Sequence, residues 1–166
     1  MPVRNTKQRL VAAVPKVVIV STLDWPKRQQ QGINMAGKTN LEELLSSIAP
    51  RLSPISYVFC CVQGSYGDFS NLKPLASFAE DEGLTLVIPE NQAMEHNLAY
   101  ESTFSSITLT VHSSLDAVGL TAAVAQKLAH HGISANVIAA YYHDHIFVQT
   151  EKAELAMAAL QEFKQS

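Results

Sequence analysis

SITLTVHSSLDAVGLTAAVAQKLAHHGISANVIAAYYHDHIFV, residues 106–148, changes its periodicity twice within one unbroken stretch. Ile107, Leu109 and Val111 alternate with Thr108 and Thr110, the pattern of a strand with one buried face. Leu120, Val124 and Leu128 then recur at four-residue spacing, which predicts a helix capped by Ser113 or Asp116 and ended by Gly132. ANVIAAYY (135–142) and HIFVQT (145–150) read as two strands joined by almost nothing, hence antiparallel neighbours. Thr150 is expected to cap a last helix with Leu155, Ala159 and Phe163 on its apolar side. From residue 105 the order is therefore strand, helix, strand, strand, helix, and a two-layer ferredoxin-like unit needs one more strand. Residues 41–62 are expected to supply it, either as part of two interlocked half-repeats or with the help of a partner chain covering the open edge.

Upstream, Asn40 can cap a helix while Glu43 reaches back, with Leu41, Leu44, Leu45 and Ile48 on one face until Pro50. ISYVFCCVQ (55–63) reads as a strand and GSYGDFSN (64–71) as turns. A short helix is predicted within KPLASFAEDE (73–82), ended by Gly83 before the strand LTLVIP (84–89), and one or two helical turns follow within 90–98. KVVIVS (16–21) is strand-like, and the polar, glycine-bearing residues 26–40 read as linker. The composition shifts near residue 40, so Met35 is an alternative start of the folded core, to which residues 1–34 are expected to add little.

With 47% hydrophobic and 16% charged residues, the chain has the composition of a packed globular protein. Its formal charge of −3 conceals an asymmetry: residues 1–40 are net +6 and residues 41–166 net −9. A surface that tracks nucleic-acid phosphates needs a row of basic groups, and none follows residue 40. No apolar run reaches the length of a membrane span, and Lys16 interrupts the one stretch reminiscent of a targeting peptide. Cys60 and Cys61 are adjacent, so a strand points them to opposite faces; they read as reduced thiols in a cytoplasmic protein. GKT at 37–39 lacks the upstream glycine of a phosphate loop, and neither a Gly-x-Ser-x-Gly elbow nor a His-Glu-x-x-His helix occurs.

The segment from Ser106 to Val148 resembles an ACT domain: a strand, an Asp-x-x-Gly-Leu element entering a helix, a Gly-Ile helix end and an Asn-containing strand. Residues 38–164 resemble proteins built of two ACT-like halves, with VFCCV, GLTLVIP, VHSSLDAVGL and YYHDHIFV as the distinctive phrases. The resemblance implies an α+β fold of tandem ACT, ferredoxin-like halves, with antiparallel sheets and helices packed on one face. It divides the chain into a basic extension or linker (1–37), a first half (38–101) and a second half (102–166). ACT domains bind small effectors, usually amino acids, at the loop between first strand and first helix where two domains meet. Carried onto this chain, that loop contains Ser113, Leu115, Asp116, Val118, Gly119 and Leu120, facing Ile133, Asn136 and Val137 at the start of the second strand. The chain departs from the commoner ACT loop in having Ala117 and Val118 where Arg-Pro often stands, and no fused catalytic or DNA-binding domain is expected.

The residue chemistry fits this placement. A glycine beside a helix start lets a ligand approach the backbone, the first-turn amides can donate to a carboxylate, and Asp116 can accept an ammonium. The plainer alternative is that Asp116 caps the helix and Gly119 only permits close packing. His143 and His145 share a face if the strand runs through them, but two ligands are too few for a structural zinc site without His112 or His96. Asp144 is a good turn residue, so Tyr142, His143, Asp144 and His145 read as a hairpin corner and a secondary contact site, with one of Tyr141 and Tyr142 in the core. The expected protein is thus a non-catalytic, homodimeric regulatory module for a small molecule, an amino acid, using no cofactor or metal. The alternatives are an interaction module without ligand and a metal-dependent hydrolase built on His143, Asp144 and His145.

Overall fold

The computed structural model describes the backbone of residues 17–19 and the structure of residues 40–164. Their elements are β1 (Val17–Ile19), α1 (Leu41–Ser47), β2 (Pro50–Val62), α2 (Tyr66–Phe69) with a 3-10 turn (Ser70–Leu72), β3 (Ala76–Glu80), β4 (Gly83–Pro89), α3 (Glu90–Glu95), β5 (Thr103–Leu109), α4 (Leu120–His130), β6 (Asn136–Ala139), β7 (Asp144–Gln149) and α5 (Ala153–Gln161). All seven strands form one curled sheet in the order β1-β6-β7-β5-β2-β4-β3, antiparallel except where β1 runs parallel to β6.

β2-α2-β3-β4-α3 and β5-α4-β6-β7-α5 are two strand-helix-strand-strand-helix units. Their first strands pair at the centre of the sheet, with Ser56 opposite Ser105 and Tyr57 opposite Phe104. β2 thereby serves as the fourth strand of the second unit, and β5 as the fourth strand of the first. The expectation that residues 41–62 complete the sheet begun at residue 105 is met, and the units interlock within one chain. β2 begins earlier than ISYVFCCVQ, at Pro50, where the missing N–H falls on the first strand residue. Its register against β5 shifts between Leu52 and Ser56, the segment that holds Pro54, which has no N–H for the ladder.

Alternation along the central strands sorts the side chains by face. Ile107, Leu109, Ile146, Val148 and Val137 face the helices, where they form one cluster with Leu44 and Ile48 of α1, Leu120, Val124 and Leu128 of α4, and Ala156, Ala159 and Leu160 of α5. Val58, Cys60, Leu84, Leu86 and Ile88 do the same under the first unit, with Leu72 and Ala93. Each leucine, isoleucine or valine among them contributes about 1.5–3 kcal/mol on burial. The opposite face holds Val87, Ile138 and Phe147, with Tyr57, Phe59, Phe78 and Phe104 packed against them. There Phe147 meets Tyr57 and Phe59 edge-on at centroid distances of 6.0 and 5.4 Å.

Four local readings are corrected. Residues 76–80 are strand β3, not helix, because Ala76–Glu80 pair with β4 residues Val87–Gly83; the helical turns here lie earlier, at Tyr66–Phe69 and Ser70–Leu72. Helix α4 is capped by neither Ser113 nor Asp116 but starts after Gly119. Thr150 opens a 3-10 turn (Thr150–Lys152) ahead of α5, whose buried side is Ala153, Ala156, Ala159 and Leu160 and leaves Leu155 exposed. Finally, β6 ends at Ala139, and the Ala140 N–H donates to the His143 carbonyl at 3.2 Å, so Tyr141 and Tyr142 sit at a turn and are both exposed; neither packs in the core. Asn40, by contrast, caps α1 as read, its Oδ1 accepting from the Glu43 N–H at 3.0 Å.

Candidate functional site

The β5–α4 loop leaves the sheet after Leu109 and returns through a tight turn in which the Ala117 N–H donates to the Ser114 carbonyl at 2.9 Å. The Ser114 hydroxyl accepts from the Asp116 N–H at 3.2 Å, so that amide is held by the loop and the Asp116 side chain is left exposed. Ser113 is buried, whereas Leu115 and Val118 are 61% and 85% exposed. Gly119 follows with φ +101°, a left-handed conformation in which an L side chain is strained, and α4 begins without a side-chain cap. A Cβ on Gly119 would stand 3.0 Å from Leu41 Cδ2, so the space beside the glycine is taken by the first residue of α1.

The loop thus meets α1, the helix that leads into the first unit. Leu120, Ile133 and Val137 are core residues of the helix-side cluster. Asn136 is separated from the loop: its register partner is Phe147, so it lies on the helix-free face, and it lines a cavity with Phe59 and Phe104.

Two models of the ACT domain match this chain, one over residues 36–105 and the other over residues 101–162. A Vibrio cholerae protein of unknown function, described as a possible transport protein, is 59% identical over 75% of this chain and 95% of its own, with a TM-score of 0.70. The chain belongs to the ACT-domain family. A protein from Agobacterium tumefaciens shares the fold at 16% identity, over 70% of this chain and 89% of its own, with a TM-score of 0.55. Escherichia coli aspartokinase III, solved with aspartate and ADP, shares it at 12% identity over 71% of this chain and 33% of its own, with a TM-score of 0.56. No protein of curated function matches.

The two sequence-singled stretches of the second ACT unit, the loop and YYHDH, come together in space. The His112 ring lies 5.3 Å from that of Tyr142, the Tyr141 and Tyr142 rings are 4.9 Å apart edge-on, and His143 Nδ1 is 3.5 Å from the Val111 carbonyl. The β6–β7 turn is therefore a side wall of the ACT loop, a proximity that spacing along the chain does not reveal. Asp144 is not a turn residue: it is the first residue of β7, opposite both Leu109 and Ala139, and only 6% exposed. Burial pushes its carboxyl above the ordinary range, while His143 pulls the other way. His145 faces the other side of the sheet, its Nδ1 3.1 Å from the Thr108 hydroxyl, and burial holds its imidazole below the ordinary range. Since β7 starts at Asp144, His143 belongs to the turn and the two imidazoles do not share a strand face. Among the described residues, no three His, Cys, Asp or Glu side chains form a group that could hold a metal.

Proposed function

We propose that this protein is a non-catalytic regulatory module that binds a small zwitterion, a free amino acid, at the β5–α4 loop of its second ACT unit. The observation that carries the reading is the start of α4. Gly119 brings the chain in with a left-handed turn packed against Leu41, and α4 has no side-chain cap, so its first-turn amides have no side-chain partner and would take a carboxylate, with the exposed Asp116 carboxylate three residues away. Opposite partners for the two charged ends of an amino acid thus lie within one short loop. His112 and Tyr142 would flank the ligand's side chain. Membership of the ACT family, which is known for regulatory binding of small molecules, supports the same class.

A second reading rests on a specific observation. Leu115, Val118, Tyr141 and Tyr142 are large apolar or aromatic side chains exposed around the same loop, which suits a protein partner or a second copy of the chain. A thermal-shift screen of the twenty common amino acids separates the two. At about 100 times its dissociation constant, one of them should stabilise the protein by about 2.7 kcal/mol. Asp116→Ala should abolish that gain and His143→Ala should leave most of it. No response to any amino acid leaves the protein-partner reading, and a response lost only in His143→Ala moves the site to the turn.

A further inference from the structure

A cavity of about 530 Å³ opens on the helix-free face of the sheet, where residues 99–102 carry the chain from the first ACT unit to the second. That volume lies within the range of small-molecule sites, about 300–1,000 Å³. Phe59 of β2 and Phe104 of β5 make one wall, their rings 5.3 Å apart and nearly perpendicular, and Tyr100 contributes another ring. Its polar groups are the Glu101 carboxylate, the Asn136 amide, the hydroxyls of Tyr100 and Ser102, and the thiol of the exposed Cys61. No lysine or arginine is among the described lining residues.

A buried hydrogen-bonding vacancy borders the same wall. Gln149 is the cross-strand partner of Phe104 and so shares its face of the sheet, and its buried Oε1 has no hydrogen-bond partner among the described residues. An acceptor left unpaired in this way favours a ligand that brings an N–H donor. The charge of the described lining agrees, since its one charged side chain is the Glu101 carboxylate.

We propose that this cavity is a binding site, separate from the β5–α4 loop, for a small molecule with an aromatic body and a protonated amino group and no carboxylate. The aromatic body lies against Phe59 and Phe104, and the ammonium lies between Glu101 and the amide side of the wall. The ACT loop asks for a carboxylate on α4 and an ammonium on Asp116; this cavity offers the Glu101 carboxylate to the ammonium, no cationic side chain of its described lining to a carboxylate, and largely apolar surface for the rest.

Cys61 provides the readout, because it is exposed at the cavity while Cys60 is buried and its thiol pushed up by that burial. The full chain is alkylated with iodoacetamide in the presence of 2-phenylethylamine, and modification of Cys61 is followed by mass spectrometry. At about ten times its dissociation constant the amine should slow alkylation about tenfold. Glu101→Gln keeps the shape and removes the charge, and it should raise the amine concentration needed for the same protection about tenfold. The neutral 2-phenylethanol should protect far less than the amine, and Asp116→Ala should leave the protection unchanged, so failure of the loop reading would not be mistaken for failure of this one. Absence of protection up to the solubility of the amine would overturn the proposal, as would equal protection by 2-phenylethanol or an unaltered response in Glu101→Gln.

Discussion

Replacing Gly119 with alanine tests how the second ACT unit is put together. The residue sits at φ +101°, outside the conformations an L side chain adopts readily, and holding alanine there costs about 1–2 kcal/mol. The new methyl group would also stand 3.0 Å from Leu41 Cδ2, so the leucine must give by a few tenths of an ångström, which adds about 0.5 kcal/mol. The sum is about 2 kcal/mol, or a fall in the thermal midpoint of about 4–8 °C. Reversible thermal or urea unfolding of Gly119→Ala, Leu41→Ala and the double variant separates the two contributions. Against Leu41→Ala the methyl meets nothing, so the cost of Gly119→Ala should drop to the backbone strain alone, a coupling of about 0.5 kcal/mol. A Gly119→Ala protein within about 0.5 kcal/mol of the parent would show that α4 does not begin with a left-handed turn. A cost independent of residue 41 would show that α1 does not abut the loop.

Three further outcomes follow from particular side chains. Phe147→Ala should destabilise by about 3–5 kcal/mol in urea unfolding, because the ring is fully buried and its edge-on contacts to Tyr57 and Phe59 are lost with it. Asn40→Ala should cost about 1 kcal/mol by removing the cap on the Glu43 N–H, measured in the same way. The imidazole of His145 is held below its ordinary value of 6.5, so its contribution is fully present above that pH and is lost as pH falls from 6.5 through the depressed folded value. Stability measured from pH 7.5 downward should therefore decline below about 6.5, and His145→Gln should remove that part of the slope.

How much was legible depended on where side-chain pattern and backbone pairing agree. From Ile107 to Val148 alternation and four-residue spacing coincide with real faces, so β5, α4, β6 and β7 are read from the sequence, and the missing fourth strand points to β2. KPLASFAEDE suits a helix locally through Leu75, Ala76, Ala79 and Glu80, whereas β4 offers Ala76–Glu80 a complete ladder, and tertiary pairing overrides propensity. The start of α4 was placed too early because Ser113 and Asp116 are good caps by type, while a glycine with positive φ can start a helix without one. The sequence places Tyr141 and Tyr142 in a strand because adjacent apolar-rich residues carry no mark of where a turn begins; the Ala140 to His143 hydrogen bond sets it. The resemblance places Asn136 facing the loop, whereas its register with Phe147 puts it on the other face of the sheet. The approach of His112 to Tyr142 and the cavity walled by Phe59 and Phe104 arise from sheet curl and strand order, which local pattern does not encode.

The claim that an amino acid binds across the start of α4 is tested most directly by the backbone amides themselves. In a nitrogen–proton correlation spectrum of the full chain titrated with an equimolar mixture of the twenty common amino acids, the amides of Leu120, Thr121 and Ala122 should shift in a saturable way, together with that of Asp116. The same amides should stay in place when the mixture is added to Asp116→Ala. Saturable shifts confined to other residues, or none at all, would contradict the assignment.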